Sequence, residues 1–239
     1  RGFSSKRKKN KGLFGIKMNT KRLTIAVDGP AGSGKSTVTR KVAERIDYLY
    51  LNSGSMYRAA TLLSSQKGIS PYNKTQLVNL IQKQCQIDFS NNGKTTLLNR
   101  IDVSKEIRKP EIEQQVAAVA KIPEVRQEMV KQQRRIAQNG SVIAEGRDVT
   151  TVVFPEADLK FYITASVEER ARRRFNEFQA KGVDCSFEQI KNEIQERDQQ
   201  DKSRQHSPLK KAEDAIIINT TQITVNQAVD LILEKIKEH

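Results

Sequence analysis

Eight residues, GPAGSGKS from Gly29 to Ser36, fill the pattern G-x-x-x-x-G-K-[ST] completely. The chemistry such a string serves is the holding of a nucleoside triphosphate. Its glycines let successive backbone N–H groups turn inward around a β-phosphate, and the helix that follows adds its positive end. Lys35 is expected to bridge the β- and γ-phosphates, and the Ser36 hydroxyl to ligate Mg²⁺. Pro30, Ala31, Gly32, Ser33, Gly34 and Thr37 complete the expected ATP cradle. The competing reading is a glycine-rich turn with Lys35 on the surface. A strand before the loop and a helix after it favour the phosphate.

The other chemistry-bearing residues are mostly arginines. SGSMYR puts Arg58 in the first turns of a helix after the second strand, and EGRDVT puts Arg147 and Asp148 at the end of another strand. In open α/β sheets ligands bind at the carboxyl ends of strands, so both arginines should face the phosphate loop. One such Arg is common; two make a second phosphate site the better reading. In ERDQQDKSR, Arg197, Asp201 and Arg204 fall at i, i+4 and i+7, one helix face. In VEERARRR, Arg170, Arg173 and Arg174 share a face in the same way. Spacing alone leaves two readings open for these: a solvated charged helix, or a lid whose arginines close over phosphates.

Phosphoryl transfer explains arginines without a catalytic base. Charge in its transition state spreads over the equatorial oxygens of the moving group, so catalysis is largely positioning and electrostatics. An acceptor that is itself a phosphate is already ionised and needs no proton removed. The scarcity of His, only His206 and His239, suits that case.

The elements that must position these residues alternate. RLTIAV (22–27) reads as a buried strand, KSTVTRKVAERI (35–46) as a helix, YLYLN (48–52) as a strand and GSMYRAATLLSSQKG as a helix closed by Gly68. Between about 70 and 124 the pattern changes to a hairpin around Asn91-Asn92-Gly93, followed by helices that start near Pro110 and Pro123. Strands resume at 141–146, 158–164 and 214–220, and a last amphipathic helix carries Val225, Val229, Ile232 and Ile236 on one stripe. Residues 166–204 read as a charged helical arm with little core-forming pattern. The fold class is therefore α/β: a P-loop NTPase-like three-layer α/β/α domain on a central parallel five-stranded sheet.

Composition bounds the partners. The chain has 239 residues with 36% hydrophobic and 29% charged, and no apolar run long enough to span a bilayer. Cys85 and Cys185 suggest reduced thiols and a cytoplasmic protein with no membrane partner. The net charge is +14, but residues 1–21 hold eight Lys or Arg and no acid, which leaves +6 for the rest. Residues 1–20 are expected to be a basic disordered tail, read as an expression scar ahead of Met18, a nucleic-acid or membrane-surface arm, or a targeting segment. The scar is favoured. A nucleic-acid-binding ATPase is the rival from another class, and an aromatic content of 5% counts against it.

Taken together and in order, GPAGSGKST, LNSGSMYR, DVSKEIRKPEI, VAAVAKIPEVR, IAEGRDVTTVVFPEADLKFYITASVEERARRR and EIQERDQQDKSR resemble the bacterial cytidylate kinase family, from about Lys21 to the C-terminus. The resemblance implies ATP and CMP or dCMP giving ADP and CDP or dCDP, with Mg²⁺, in a protein often monomeric. It implies that Ser53, Arg58, Arg147 and Arg204 surround the CMP phosphate, Arg126 and Asp148 read the cytosine edge, and Arg197 and Asp201 meet the ribose. Arg170, Arg173 and Arg174 belong to the ATP side, and Lys35, Arg147, Arg173, Arg197 and Arg204 form the catalytic set. It divides the chain into a kinase core (21–69, 125–165 and 205–239), a CMP-binding insert (70–124) and a helical lid (166–204). The chain departs from the family pattern at four places. Ala117 stands for a frequent Ser and lacks its hydroxyl, Asn52 and Glu145 stand where Asp is frequent, and Thr150 replaces a usual Gly.

Overall fold

A computed structural model describes residues 22–204 and 207–239; the basic segment expected as a tail lies outside the described residues. Strand β1 (Thr24–Asp28) leads through the glycine loop into helix α1 (Lys35–Ile46), then β2 (Leu49–Asn52) and α2 (Ser53–Gln66). Next come α3 (Lys74–Gln84), the small antiparallel strands β3 (Ile87–Ser90), β4 (Thr95–Leu98) and β5 (Ile101–Asp102), α4 (Pro110–Ala120) and α5 (Pro123–Ile136). β6 (Val142–Gly146), a π-helical turn at Val149–Val153 and β7 (Leu159–Thr164) follow. The chain closes with α6 (Val167–Ala180), α7 (Phe187–Lys202), β8 (Ile216–Asn219) and α8 (Val225–Glu238).

Among the described residues, five parallel strands form one sheet in the order β2-β6-β1-β7-β8. Strand alternation sorts their side chains into two cores. Ile25, Val27, Tyr50 and Ile143 face α1 and α8, whereas Ala26, Leu51, Val142 and Ala144 face α2 and its neighbours. A sheet buried on both faces needs apolar residues at successive positions, which is why Ile25, Ala26 and Val27 in β1 and Val142, Ile143 and Ala144 in β6 are apolar without a break before Asp28 and Glu145. Those two acids mark the carboxyl end of the sheet, where the site lies. The three-layer α/β/α fold expected from the sequence is the one observed.

The segment 70–124 packs into the same apolar core as α2 and α5: Leu77, Leu80, Ile81, Ile87, Leu98, Ile107 and Val119 join Met56, Leu63, Val125 and Met129. The hairpin tip sits on the parallel sheet, where Gly93, at φ +88°, has Tyr50 O only 1.9 Å from the position of an added Cβ. No other residue fits there. Three sequence expectations need correcting. α3 is an additional helix, whose Leu77, Leu80 and Ile81 have helical spacing behind the Asn73 cap. Val225, expected on the buried stripe of α8, opens that helix and is exposed, while Val229, Ile232 and Ile236 are buried. The charged arm has a core of its own, with Ala171, Ile190 and Ile194 buried among Phe175, Phe178 and Phe187.

Candidate active site

The glycine loop is built as its sequence requires. Gly32 and Gly34 have φ of +75° and +80°, and Gly34 caps α1 with no side-chain hydrogen bond, so the first N–H groups of the helix are left to a ligand. Lys35 is buried and donates to Pro30 O at 3.2 Å. The back of the loop is held by protein: Arg170 donates to Ala31 O at 3.1 Å, and the Thr220 hydroxyl donates to Ser33 O at 2.9 Å.

A second cluster of cations lies at the ends of β2 and β6. Arg147 Nε donates to Asp201 Oδ2 at 2.9 Å, and Arg204 pairs with the other oxygen of the same buried carboxylate. Helix α7 ends at Lys202, so the i, i+4, i+7 expectation holds for Arg197 and Asp201 but not for Arg204, which reaches Asp201 from beyond the helix. Arg58, from α2, approaches Glu113 at 3.9 Å. Ser53 opens α2 with its Oγ against Gly146. Arg126 and Asp148 form a buried ion pair, and the Arg126 guanidinium also lies 5.4 Å from the Tyr57 ring centroid.

The electrostatics tie both clusters together. Burial, and then the charge of Arg147, pull the Lys35 ammonium from its ordinary 10.5 down to about 7, with Arg197 adding and Glu145 opposing. Burial also lowers the Arg58 and Arg197 guanidiniums, and Arg147 pushes each the same way. Four cations are thus close enough to repel one another in a partly dry cleft. Asp201, Glu145 and Glu113 offset part of that repulsion, and a bound polyanion would offset more.

Beside Lys35 stands a knot of polar groups. Tyr50 Oη and Asn52 Nδ2 both donate to Glu145 Oε1 at 2.6 Å, and the Ser36 hydroxyl is near enough to Tyr50 to oppose the burial that raises its phenol. Among the described residues, Glu145 Oε2 is buried without a hydrogen-bond partner. Two of the sequence departures, Asn52 and Glu145, are therefore in direct contact.

The three arginines of α6 go to different places. Arg170 is 3% exposed and grips both oxygens of Asp198 at 2.7 and 2.9 Å, and it donates to Ala165 O as well. Arg173 binds Glu169 and the Thr220 hydroxyl and carbonyl, with its Nη1 3.3 Å from where a Cβ on Gly34 would stand. Arg174 lies 4.5 Å over the Phe178 ring and pairs with Glu177. Sequence reasoning did not single out Asp28, Asp198, Tyr50, Tyr57 or Thr220. Asp28, directly before the first loop glycine, had a local signal; the others have partners far away in sequence.

Comparison with known proteins gives consistent matches. The family model described as Cytidylate kinase matches residues 25–238. A protein named Cytidylate kinase from Caldanaerobacter subterraneus subsp. tengcongensis is 45% identical over 215 residues, 90% of this chain and 95% of the relative. Another of that name from Anoxybacillus flavithermus is 44% identical over 219 residues, 91% of this chain and 97% of the relative. Among solved structures, an uncharacterized protein from Eubacterium ventriosum is similar with a TM-score of 0.50 at 14% identity, over 91% of this chain and 99% of that one. That is a likeness of fold alone.

Proposed function

The chain belongs to the cytidylate kinase family, and from that premise we propose that its cleft transfers the γ-phosphate of ATP to CMP or dCMP, yielding ADP and CDP or dCDP. The carrying observation is the single field of Lys35, Arg58, Arg147 and Arg197, which spans a phosphate loop and a second cationic cluster. ATP lies with its β- and γ-phosphates on the loop and the N-terminus of α1. The CMP phosphate takes the second cluster, among Ser53, Arg58, Arg147 and Arg204. Asp201, fixed between two arginines, and Arg197 beside it offer contacts to the ribose. The Arg126–Asp148 pair presents a donor and an acceptor to the cytosine edge, Asp148 accepting from the exocyclic amine.

A divalent cation fits this corner, because Glu145 Oε2 is a buried carboxylate oxygen with no partner and Ser36 is close by through Tyr50. Ser36 and Glu145 would hold Mg²⁺, which when bound neutralises charge on the β- and γ-phosphate oxygens. In the transfer itself, the CMP phosphate oxygen attacks in line, and Lys35 and Arg147 hold the negative charge of the transferring group. The lid (166–204) and the segment 70–124 exclude water, which would otherwise accept the phosphate. Arg173 acts from the lid side of the loop. Arg170, with its donors engaged by Asp198, Ala31 and Ala165, serves ATP by holding the loop.

A panel of acceptors tests the reading. ADP release is expected to be fastest with CMP or dCMP among CMP, dCMP, UMP, AMP and shikimate. Fastest turnover with any other member overturns it.

A second expectation concerns protons. With a folded value of about 7, Lys35 is largely neutral at pH 8 before ATP arrives, and the polyphosphate restores its charge. ATP binding should therefore take up a proton, by a fraction that rises from pH 7 to pH 8. Calorimetry in two buffers of different ionisation enthalpy reads this. Proton release at pH 8 would contradict the Lys35 assignment.

A further inference from the structure

Asp28 ends β1 one residue before the phosphate loop and is fully buried. Its partners across the sheet are Gly146 on β6 and Tyr162 on β7, so it sits level with the root of Arg147. Its carboxylate has a defined task. Oδ1 accepts from the Val149 N–H at 2.9 Å, and Oδ2 accepts from the Thr150 N–H at 2.7 Å and from the Thr150 hydroxyl at 2.6 Å.

Those donors open the π-helical turn that directly follows Arg147 and Asp148. A helical turn leaves its first N–H groups unpaired, and a side chain at the preceding position usually caps them. Asp148 holds that position but makes no such cap, because its carboxylate is paired with Arg126. The cap comes instead from Asp28, 121 residues earlier in the chain. The far end of the turn is held separately, where Arg134 donates to the Val152 and Val153 carbonyls at 2.9 Å.

One carboxylate thus joins the base of the donor loop to the segment that carries the acceptor residues. We infer that Asp28 and Thr150 are positioning residues that set the distance and angle between the phosphate loop and the Arg147–Asp148 segment. This rests on the assignment of Arg147 and Asp148 to the acceptor side. Packing alone does not call for the arrangement. Burial drives the Asp28 carboxyl up to about 6 even against its three hydrogen bonds, so an apolar residue would fill the space at less cost. What an apolar residue could not do is hold two amides and a hydroxyl in register.

Three variants test the inference: Thr150→Val, which keeps the shape and removes the hydroxyl, Thr150→Ser, which restores it, and Asp28→Asn. Misplacement of reacting groups by about 1 Å costs on the order of 10²-fold in rate. Per folded enzyme, kcat should fall roughly 10-fold in Thr150→Val and roughly 10²-fold in Asp28→Asn, with recovery in Thr150→Ser and KM for ATP within about twofold of the parent. Thr150→Val at the parent kcat, or Thr150→Ser as impaired as Thr150→Val, would overturn the inference even if Asp28→Asn fails to fold. Equal losses on the ATP and acceptor sides would overturn it too. Each ratio is taken with the parent's own best acceptor, so a parent that prefers something other than CMP refutes the functional reading without touching this one.

Discussion

Replacing Arg147 with Ala is expected to lower kcat/KM for CMP by about 10³-fold, roughly 4 kcal/mol of transition-state stabilisation, while the affinity for ATP changes by no more than about twofold. The size follows from position. In the proposed function Arg147 stands between the two phosphates; it is held by Asp201 and by Gly146 O, and its charge is the largest side-chain influence on Lys35. An arginine so placed would meet the phosphoryl group as negative charge builds between donor and acceptor. Arg147→Lys should recover part of the loss, because a point charge remains but the fork that binds Asp201 and phosphate together does not. A second readout separates this from general damage. Without Arg147 beside it, Lys35 returns toward its ordinary value, so the proton uptake on ATP binding at pH 8 should shrink. If Arg147→Ala turns CMP over normally, the acceptor site lies elsewhere.

The parts of this site that sequence reveals are those whose chemistry is local. The phosphate loop works through its own backbone, so glycines at fixed intervals between a strand and a helix suffice to recognise it. Arg147 and Asp148 were visible because a strand end in a parallel sheet has a known place, and β6 brings them there. Helical spacing carried less. It put Arg170, Arg173 and Arg174 on one helix face, yet their partners are Asp198, Thr220 and Phe178, and nothing in VEERARRR indicates which arginine meets which. Asp198 itself sits in ERDQQDKSR, where the eye goes to Asp201. Asp28 is the clearest case: its task exists only when β1 and β6 lie side by side, a fact of topology that no window of sequence contains. Asn52 and Glu145, taken singly, are two departures from a family pattern. In contact, the amide of one orients the carboxylate of the other and leaves the second oxygen open.

The same dependence on distant partners makes Asp198→Ala the most damaging change expected outside the phosphate sites. Among the described residues its carboxylate is the ion-pair partner of Arg170, which is 3% exposed and grips it through two hydrogen bonds. Removing it strands a buried guanidinium, which costs roughly 3–5 kcal/mol. The α6–α7 arm cannot absorb such a loss, since its own core has three buried apolar residues, Ala171, Ile190 and Ile194. We therefore expect hydrogen exchange to accelerate across α6 and α7 while the five-stranded sheet stays protected, together with a fall in Tm on the order of 10 °C. KM for ATP should rise as well, because the same guanidinium holds the Ala31 carbonyl at the back of the phosphate loop. The double variant Arg170→Met/Asp198→Leu separates the two roles. With no charge left to strand, most of the stability should return. The loop carbonyl is still released, so the raised KM for ATP should persist. A single variant that melts within about 1 °C of the parent, or a double variant that recovers both properties together, would show that the Arg170–Asp198 pair neither secures the α6–α7 arm nor shapes the loop.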